Sequence, residues 1–236
     1  MRATDRQFIT PWFGKCLLLL ALCGAGQGQA TDLAAQIDLA KAMNATPATR
    51  SSALAEGKAN SSFCANCHGV TGISKYPEVP NLAGQNPNYL LTQMMKFETG
   101  ARKDDFMQRL IKVLGDRERA TVALYYSDAP VIPSVAIPGP MASKGAAHFN
   151  KLCARCHGEQ ARGMDVVPLL PGEQARGAEI VPVPRIAGQQ AKYLRISFDR
   201  YRSGSGERVY ALMTGATSQI PAADVDAVID YIASLK

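Results

Sequence analysis

The feature that most constrains this chain is a five-residue signature that occurs twice. The sequence Cys-x-x-Cys-His lies in "FCANCHGV" at 63–70 and again in "LCARCHGE" at 152–159. Two thiols and an imidazole so close together can form a redox pair, contribute half of a zinc site or attach a cofactor. Whichever chemistry applies, the chain has to build the same local environment twice.

Two longer blocks repeat in the same order, which indicates an internal duplication. The matched pairs are "VPNLAGQNPNYL" (79–90) with "VPRIAGQQAKYL" (183–194), and "MQRLIKVLGDRERATVALYY" (107–126) with "MTGATSQIPAADVDAVIDYI" (213–232). Between the copies, "DAPVIPSVAIPGP" (128–140) carries four prolines and little that could continue a helix. We therefore predict four segments: a leader at 1–30, an N-terminal domain at 31–129, a proline-rich linker at 130–141 and a C-terminal domain at 142–236.

The leader has the layout of a secretory signal. Arg2 and Arg6 come before the apolar run "CLLLLALC" (16–23), and "GQGQA" ends the segment at Ala30. The apolar run is too short to span a bilayer as a helix, although a retained anchor is the alternative interpretation. We predict a signal peptide that is cleaved near Ala30, and therefore an exported protein.

In an exported protein, the cysteines that remain after cleavage could form disulfides. After cleavage the chain keeps four cysteines, all inside the two signatures, so none is left for a structural disulfide. A four-thiolate zinc site would leave the adjacent histidines unexplained. A thioredoxin-like pair belongs at a strand-to-helix turn, and no strand alternation lies nearby.

Covalent attachment of haem, in contrast, uses every residue of the signature: two thiols form thioethers and the next residue gives iron its proximal imidazole. We therefore predict two covalently bound c-type haems. The residues concerned are Cys64, Cys67 and His68 in the first copy and Cys153, Cys156 and His157 in the second.

Apolar residues within each half follow a helical period. The stripes are Leu90, Met94 and Phe97; Leu194, Phe198 and Tyr201; and Val225, Val228, Ile229, Ile232 and Leu235. The periodicity predicts an all-α fold with three or four helices in each half. A half of about a hundred residues is small for an independent core, and a buried haem would supply much of its interior.

The second axial ligand of each iron is predicted to be a methionine. His68 is the one histidine in the first half of the mature chain, so a second imidazole from that half is excluded. The methionine candidates there are Met43, Met94, Met95 and Met107. Met107 aligns with Met213, each seven residues before an apolar residue that leads into the last helix, so we favour this pair. Met164 and His148 compete with Met213 in the second half.

These motifs resemble the di-haem cytochromes c of the cytochrome c4 type. The shared pattern is a Cys-x-x-Cys-His motif, then P-x-[LI]-A-G-Q and a Y-L helix, then a methionine before a terminal helix, all present twice. The resemblance implies a periplasmic electron carrier with two tandem class I cytochrome c domains, each wrapped around one haem with His–Met ligation. It also implies that the carbonyls of Pro80 and Pro184 accept hydrogen bonds from the two proximal histidines.

The second copy departs from this pattern in one loop. Pro80 lies twelve residues after His68, whereas Pro184 lies 27 residues after His157. The cause is a local duplication, because "GEQARGMDVVPLLP" (158–171) is followed by "GEQARGAEIVPVPR" (172–185). The insert is either a docking loop or a tolerated surface insertion, and we favour the second because loop lengthening costs little entropy.

The expected function is the relay of single electrons between redox proteins, such as a quinol–cytochrome c reductase, a terminal oxidase or a dehydrogenase. The alternatives are a di-haem peroxidase or thiosulfate-type dehydrogenase, or the cytochrome subunit of a dehydrogenase complex. An enzyme usually needs an open coordination position, and a methionine candidate in both halves argues against one. The net charge is +6 without any lysine- or arginine-rich run, so we expect no nucleic-acid binding. The sequence leaves open a peripheral association with a membrane.

Overall fold

The structure is a computed structural model that describes residues 32–132, 141–165 and 182–236. Over these ranges the chain forms α-helices and one 3-10 turn, without any β-strand, so the all-α prediction is confirmed. The predicted signal peptide lies outside the described residues, as do 133–140 of the linker and 166–181 of the duplicated loop. Among the described helices, none combines the length and apolar character needed to cross a membrane.

The N-terminal half, residues 32–132, contains six described helices. They are α1 (Leu33–Met43), α2 (Pro47–Asn60), α3 (Ala65–His68), α4 (Pro87–Thr99), α5 (Asp105–Lys112) and α6 (Asp116–Asp128). Side chains cap the first turns of α1 and α2, where Asp32 and Thr46 accept hydrogen bonds from backbone N–H groups. At α6 the carboxylate of Glu118 reaches back 2.7 Å to the N–H of Gly115.

The C-terminal half, described over 141–165 and 182–236, repeats this order without a counterpart of α1. Its helices are α7 (Ala142–Leu152), α8 (Ala154–His157), α9 (Ala191–Arg202), α10 (Ala211–Ser218) and α11 (Val225–Ser234), with a 3-10 turn at Ala222–Asp224. The described helices outnumber the three or four predicted for each half. Helices α3 and α8 have only four residues, which is too short for a periodic pattern to reveal.

Each half has its own buried apolar cluster, one drawn from residues 33–126 and the other from 149–233. Helix α2 packs against α6, and α7 packs against α11 in the same way. A glycine permits the close approach in both cases. A Cβ added at Gly57 would collide with the backbone oxygen of Thr121, and one added at Gly145 would collide with that of Ala227.

The two halves are joined by hydrogen bonds that repeat across the duplication. The side-chain amide of Gln85 donates to the carbonyl of Arg185 (2.9 Å) and accepts from its N–H (2.9 Å). Gln189 makes the equivalent pair with Asn81, at 3.0 and 2.8 Å. Both glutamines are buried, so the halves dock through two matched clamps that satisfy backbone groups away from water.

Candidate cofactor sites

The two signatures form the equivalent short helices α3 and α8. In each, the N–H of the histidine donates to the carbonyl of the first cysteine at 2.9 Å, so the signature closes one helical turn. One turn brings the first cysteine and the histidine onto the same face. The signature therefore presents a thiol and an imidazole side by side because of its spacing.

A proline carbonyl holds each histidine ring. The Nδ1 of His68 lies 2.9 Å from the carbonyl oxygen of Pro80, and the Nδ1 of His157 lies 3.1 Å from that of Pro184. Burial lowers the pKa of both imidazoles, which are therefore neutral at neutral pH. Since a carbonyl can only accept, Nδ1 carries the proton, and each Nε2 keeps a free lone pair for a metal ligand bond.

The insertion in the C-terminal half does not displace its proline. Met164 and Val183 form an isolated antiparallel bridge, in which the two backbone N–H to O distances are 3.2 and 2.9 Å. The bridge therefore places Val183 directly beside Met164. As a result Pro184 reaches His157 across 27 residues, as Pro80 reaches His68 across twelve.

The first thiol of each signature is not activated as a nucleophile. Burial raises the pKa of Cys64, and it raises that of Cys153 to about 12. Redox-active Cys-x-x-Cys pairs instead need a lowered pKa. All four described cysteines are free thiols, and no three His, Cys, Asp or Glu side chains cluster as metal ligands in the described part of the chain. The redox-pair and zinc alternatives thus find no support in this geometry.

One cavity of about 870 Å³ runs along both halves. Leucine, isoleucine, valine and aromatic side chains form much of its wall, and its volume is in the range of cofactor pockets. Nine of the ten predicted site residues line it: Cys64, His68, Pro80 and Met107 from the N-terminal half, and Cys153, Cys156, His157, Pro184 and Met213 from the C-terminal half. Cys67, in α3, is half-buried and does not line the cavity.

The methionine candidates separate by position. Met107 and Met213 are each the third residue of a short helix, α5 and α10, and both line the cavity. Met94, on α4, also lines it, so two candidates persist in the N-terminal half. The other candidates lie elsewhere: Met43 is buried in the core, Met95 packs on that core, Met164 is at the bridge, and His148 contacts Asp224.

Comparisons with known proteins agree with this geometry. The cytochrome c family profile matches residues 142–236. Cytochrome c-554(548) of Halomonas halodenitrificans is 34% identical over 76 residues, which are 31% of this chain and 92% of that protein. The chain belongs to the cytochrome c family. The predicted family resemblance is confirmed at this level by a relative that corresponds to a single half.

Longer relatives match both halves of the cytochrome. Cytochrome c4 of Thiocapsa roseopersicina is 29% identical over 190 residues, covering 76% of this chain and 90% of its own. The "thiosulfate dehydrogenase electron acceptor" of Stutzerimonas stutzeri is 28% identical, over 73% of this chain and 78% of its own. The solved structure of Acidithiobacillus ferrooxidans cytochrome c4 superposes with a TM-score of 0.62 at 29% identity, covering 74% of this chain and 99% of that one.

The cytochrome is therefore a di-haem c-type electron-transfer protein of the cytochrome c4 type, as predicted. Its residues fit the two haems, because each half brings a Cys-x-x-Cys-His helix, a neutral imidazole and a thioether side chain to one apolar cavity. Covalent attachment and axial ligation use these groups.

Four polar residues on the wall of this cavity are not among the site residues predicted from the sequence: Tyr89, Arg102, Tyr193 and Arg208. A signal for them was present. Arg102 and Arg208 each precede the methionine candidate of their half by five residues, and the two tyrosines occupy the same position in the "YL" blocks. Their repetition could have been read in the same way as that of the methionines.

Proposed function

We propose that the cytochrome relays single electrons between redox proteins outside the cytoplasm, with His68 and Met107 as axial ligands in one half and His157 and Met213 in the other. The observation that carries this proposal is the placement of these four side chains on the wall of one apolar cavity. Residues 31–129 and 142–236 would then be two haem domains joined by the segment 130–141.

The chain's own groups prepare each site for electron transfer. A haem supplies the iron that changes its charge by one electron. The proline carbonyls orient the histidine rings and, by accepting a hydrogen bond from Nδ1–H, increase the basicity of Nε2. The side chains of Met107 on α5 and Met213 on α10 would complete a His–Met ligand pair at each iron. This ligand combination raises the reduction potential. Buried apolar walls keep water away from the site.

A carrier fits these sites better than an enzyme does. Catalysis at iron needs a position that a substrate can reach, and a methionine on the wall of each half would close it. Among the described residues, His68 and His157 are the histidines that line the cavity, and His148 instead contacts Asp224 at 2.9 Å. We therefore place the cytochrome among proteins that pass electrons on without transforming a substrate.

The surface beside the first signature suits transient contact with a partner. Phe63 and Phe106 are 56% and 51% exposed, and their rings stack with centroids 6.4 Å apart. They directly precede Cys64 and Met107. Exposed aromatic side chains often mark protein–protein contact sites.

The partners we propose are redox proteins of the kinds expected from the sequence: a quinol–cytochrome c reductase, a terminal oxidase or a dehydrogenase. The relative named as a thiosulfate dehydrogenase electron acceptor favours a second candidate role, in which the cytochrome accepts electrons from a dehydrogenase. Both roles need the same two closed sites. The leader at 1–30 supports a periplasmic location, which N-terminal sequencing of the haem-loaded protein would test by finding Thr31 at or near the mature start.

The axial assignment is tested by Met107→Ala and Met213→Ala, made singly. Each should lower the potential of one haem, because a thioether is lost, and should let carbon monoxide bind one reduced haem per chain. Met94→Ala and Met164→Ala are the matched controls and should leave both sites closed. If the wild type binds carbon monoxide at both haems, the closed carrier is wrong. If Met94→Ala opens a site and Met107→Ala does not, the ligand of the N-terminal half is Met94.

A further inference from the structure

The two methionine helices, α5 and α10, are short and need support at their C-terminal ends. Each has eight residues, and an isolated helix of that length is marginal in water. Met107 and Met213 stand at the third position, and one helical turn later come Ile111 and Thr217, both buried. The last carbonyls of a helix have no α-helical partner. These two receive only long turn-type bonds of 3.2 and 3.3 Å from the N–H three residues on.

In the N-terminal half, a buried arginine supplies a stronger donor. Arg119, on α6, is 1% exposed, and its Nη2 donates to the carbonyl of Ile111 at 2.9 Å. Its two terminal nitrogens also pair with the carboxylate of Glu98 on α4, at 2.6 and 2.8 Å. The guanidinium therefore ties the end of α5 to both α4 and α6. Because a buried ion pair is by itself weak evidence for stability, the bond to α5 points to a further role.

In the C-terminal half, the equivalent carbonyl also accepts from an arginine, which comes from a different helix. Arg202 is the last residue of α9, and its Nη1 donates to the carbonyl of Thr217 and, at 2.7 Å, to that of Ile220. The hydroxyl of Thr217 in turn donates to the carbonyl of Met213 at 2.8 Å. Hydrogen bonds therefore connect the arginine to the backbone of the methionine itself.

The duplication alone does not account for this agreement between the halves. Arg202 aligns with Glu98, and Arg119 aligns with Val225, so neither arginine has a basic counterpart in the other copy. The guanidinium comes from α6 in one half and from α9 in the other. In both halves it meets the penultimate carbonyl of the methionine helix. Two different routes to the same contact indicate that this contact matters to the site.

Both arginines can act on the cavity only through the helices they hold. Ile111 and Thr217 line the cavity, whereas Arg119 and Arg202 do not. A cation at the C-terminal end of a helix satisfies its last carbonyls and interacts favourably with the helix dipole. Each guanidinium thus stabilises the end of a methionine helix without reaching the space that the helix faces.

We propose that Arg119 and Arg202 are positioning residues, which keep Met107 and Met213 at the iron by fixing the C-terminal ends of α5 and α10. The inference rests on the proposed function, since it needs these two methionines as axial ligands. A thioether is a neutral ligand, so its hold on iron depends on the backbone that presents it. Loss of an outer group that orients a metal ligand typically costs about 10–100-fold in affinity.

The first test measures how tightly imidazole, which has to displace the methionine, binds the oxidised holoprotein of Arg119→Leu and Arg202→Leu. Leucine removes the hydrogen-bond donors and offers iron no new ligand. Each variant should bind imidazole about tenfold more tightly at one haem per chain, and the charge-transfer band of methionine-ligated ferric haem should weaken. The controls are Arg109→Leu, an exposed position on α5, and Arg195→Leu on α9, where the arginine pairs with Asp226. Both controls should keep the wild-type affinity.

The second test shows whether an arginine acts through its methionine. In a Met107→Ala background the N-terminal site is already open, so Arg119→Leu should add no further change in imidazole affinity there. Arg202→Leu should still open the other haem in that background. If Arg119→Leu has the same effect with and without Met107, its role is merely structural and the proposal is wrong. Wild-type imidazole affinity in both single leucine variants also overturns it.

The Met107→Ala variant separates this inference from the proposed function. If it keeps the wild-type imidazole affinity, the axial assignment is wrong and the role of Arg119 falls with it. If it opens a site and Arg119→Leu does not, the inference alone fails.

Conservative variants complete the test. Arg119→Lys and Arg202→Lys keep a cationic donor and should restore most of the wild-type affinity. Glutamine is shorter than arginine and uncharged, so Arg119→Gln and Arg202→Gln replace the leucine variants where those do not mature with two haems. Lysine variants that bind imidazole as tightly as the leucine or glutamine variants contradict the proposal.

Discussion

Replacing Gln85 with alanine should loosen the junction between the halves by a calculable amount. The Gln85 amide is 6% exposed and makes two hydrogen bonds to the backbone of Arg185, both 2.9 Å long. A hydrogen bond contributes about 1 kcal/mol net, and a buried group left without a partner costs about 1–3 kcal/mol. The variant should therefore lose about 2–3 kcal/mol of docking free energy. Alanine also removes the acceptor for the N–H of Asn86, which lies at 3.0 Å.

Native-state hydrogen exchange measures this loss at one atom. The N–H of Arg185 donates to Gln85 in the wild type, so its protection should fall by about 30-fold, the equivalent of roughly 2 kcal/mol. Gln189→Ala should have the same effect on the N–H of Asn81, its counterpart. The control is Gln219→Ala, an exposed residue that bonds only within α10. If the Arg185 amide keeps its protection in Gln85→Ala, the proposed clamp does not hold the halves together.

Two further predictions concern packing and pH. Gly57→Ala should destabilise the protein by about 1–2 kcal/mol in urea unfolding, because overpacking against Thr121 outweighs the gain of up to about 1 kcal/mol in helix propensity. Ser52→Ala on the exposed side of α2 should stay within about 0.5 kcal/mol, and a Gly57→Ala variant as stable as the wild type would refute the close helix crossing. Hydrogen bonds from Lys144 and His148 lower the pKa of the Asp224 carboxyl group in the folded protein. The ionised carboxylate therefore stabilises the fold at pH values above the unfolded carboxyl pKa of about 3.9. This stabilisation is lost as the pH falls through the pKa that Asp224 has in the folded protein. Asp224→Asn should therefore be less stable than the wild type at pH 7, and the difference in stability should narrow as the pH falls below about 4. A difference that stays constant on acidification would contradict this.

The parts of the sites that the sequence predicted are those fixed by short-range spacing. Cys64 and His68 lie one helical turn apart, so their proximity follows from the helix alone. The predicted apolar stripe of α11 is buried from Val225 to Ile232 for the same reason. The internal duplication made Met107 and Met213 predictable as well. Equivalent residues of the two copies occupy equivalent positions, and both methionines line the cavity.

The parts that the sequence did not predict depend on long-range contacts. Met94 and Met107 both line the cavity. Both reach it because α4 packs against α5, and the sequence does not show how these two helices pack. Arg102 contacts Tyr193, 91 residues away, so no local pattern points to this contact and only the repetition marks the two positions. The interface clamps are equally hidden, because Gln85 is part of a repeated block whose partner is a backbone segment of the other half.

The most direct test of the central claim is the number of haems that stay bound to the purified chain under denaturing conditions. Acid–acetone extraction followed by the pyridine haemochrome assay should give two haems per chain, all covalently retained. Cys67→Ala and Cys156→Ala should each weaken the attachment of one haem and leave the other in place. A ratio near one in the wild type, or haem that is extracted into the solvent, would contradict the account.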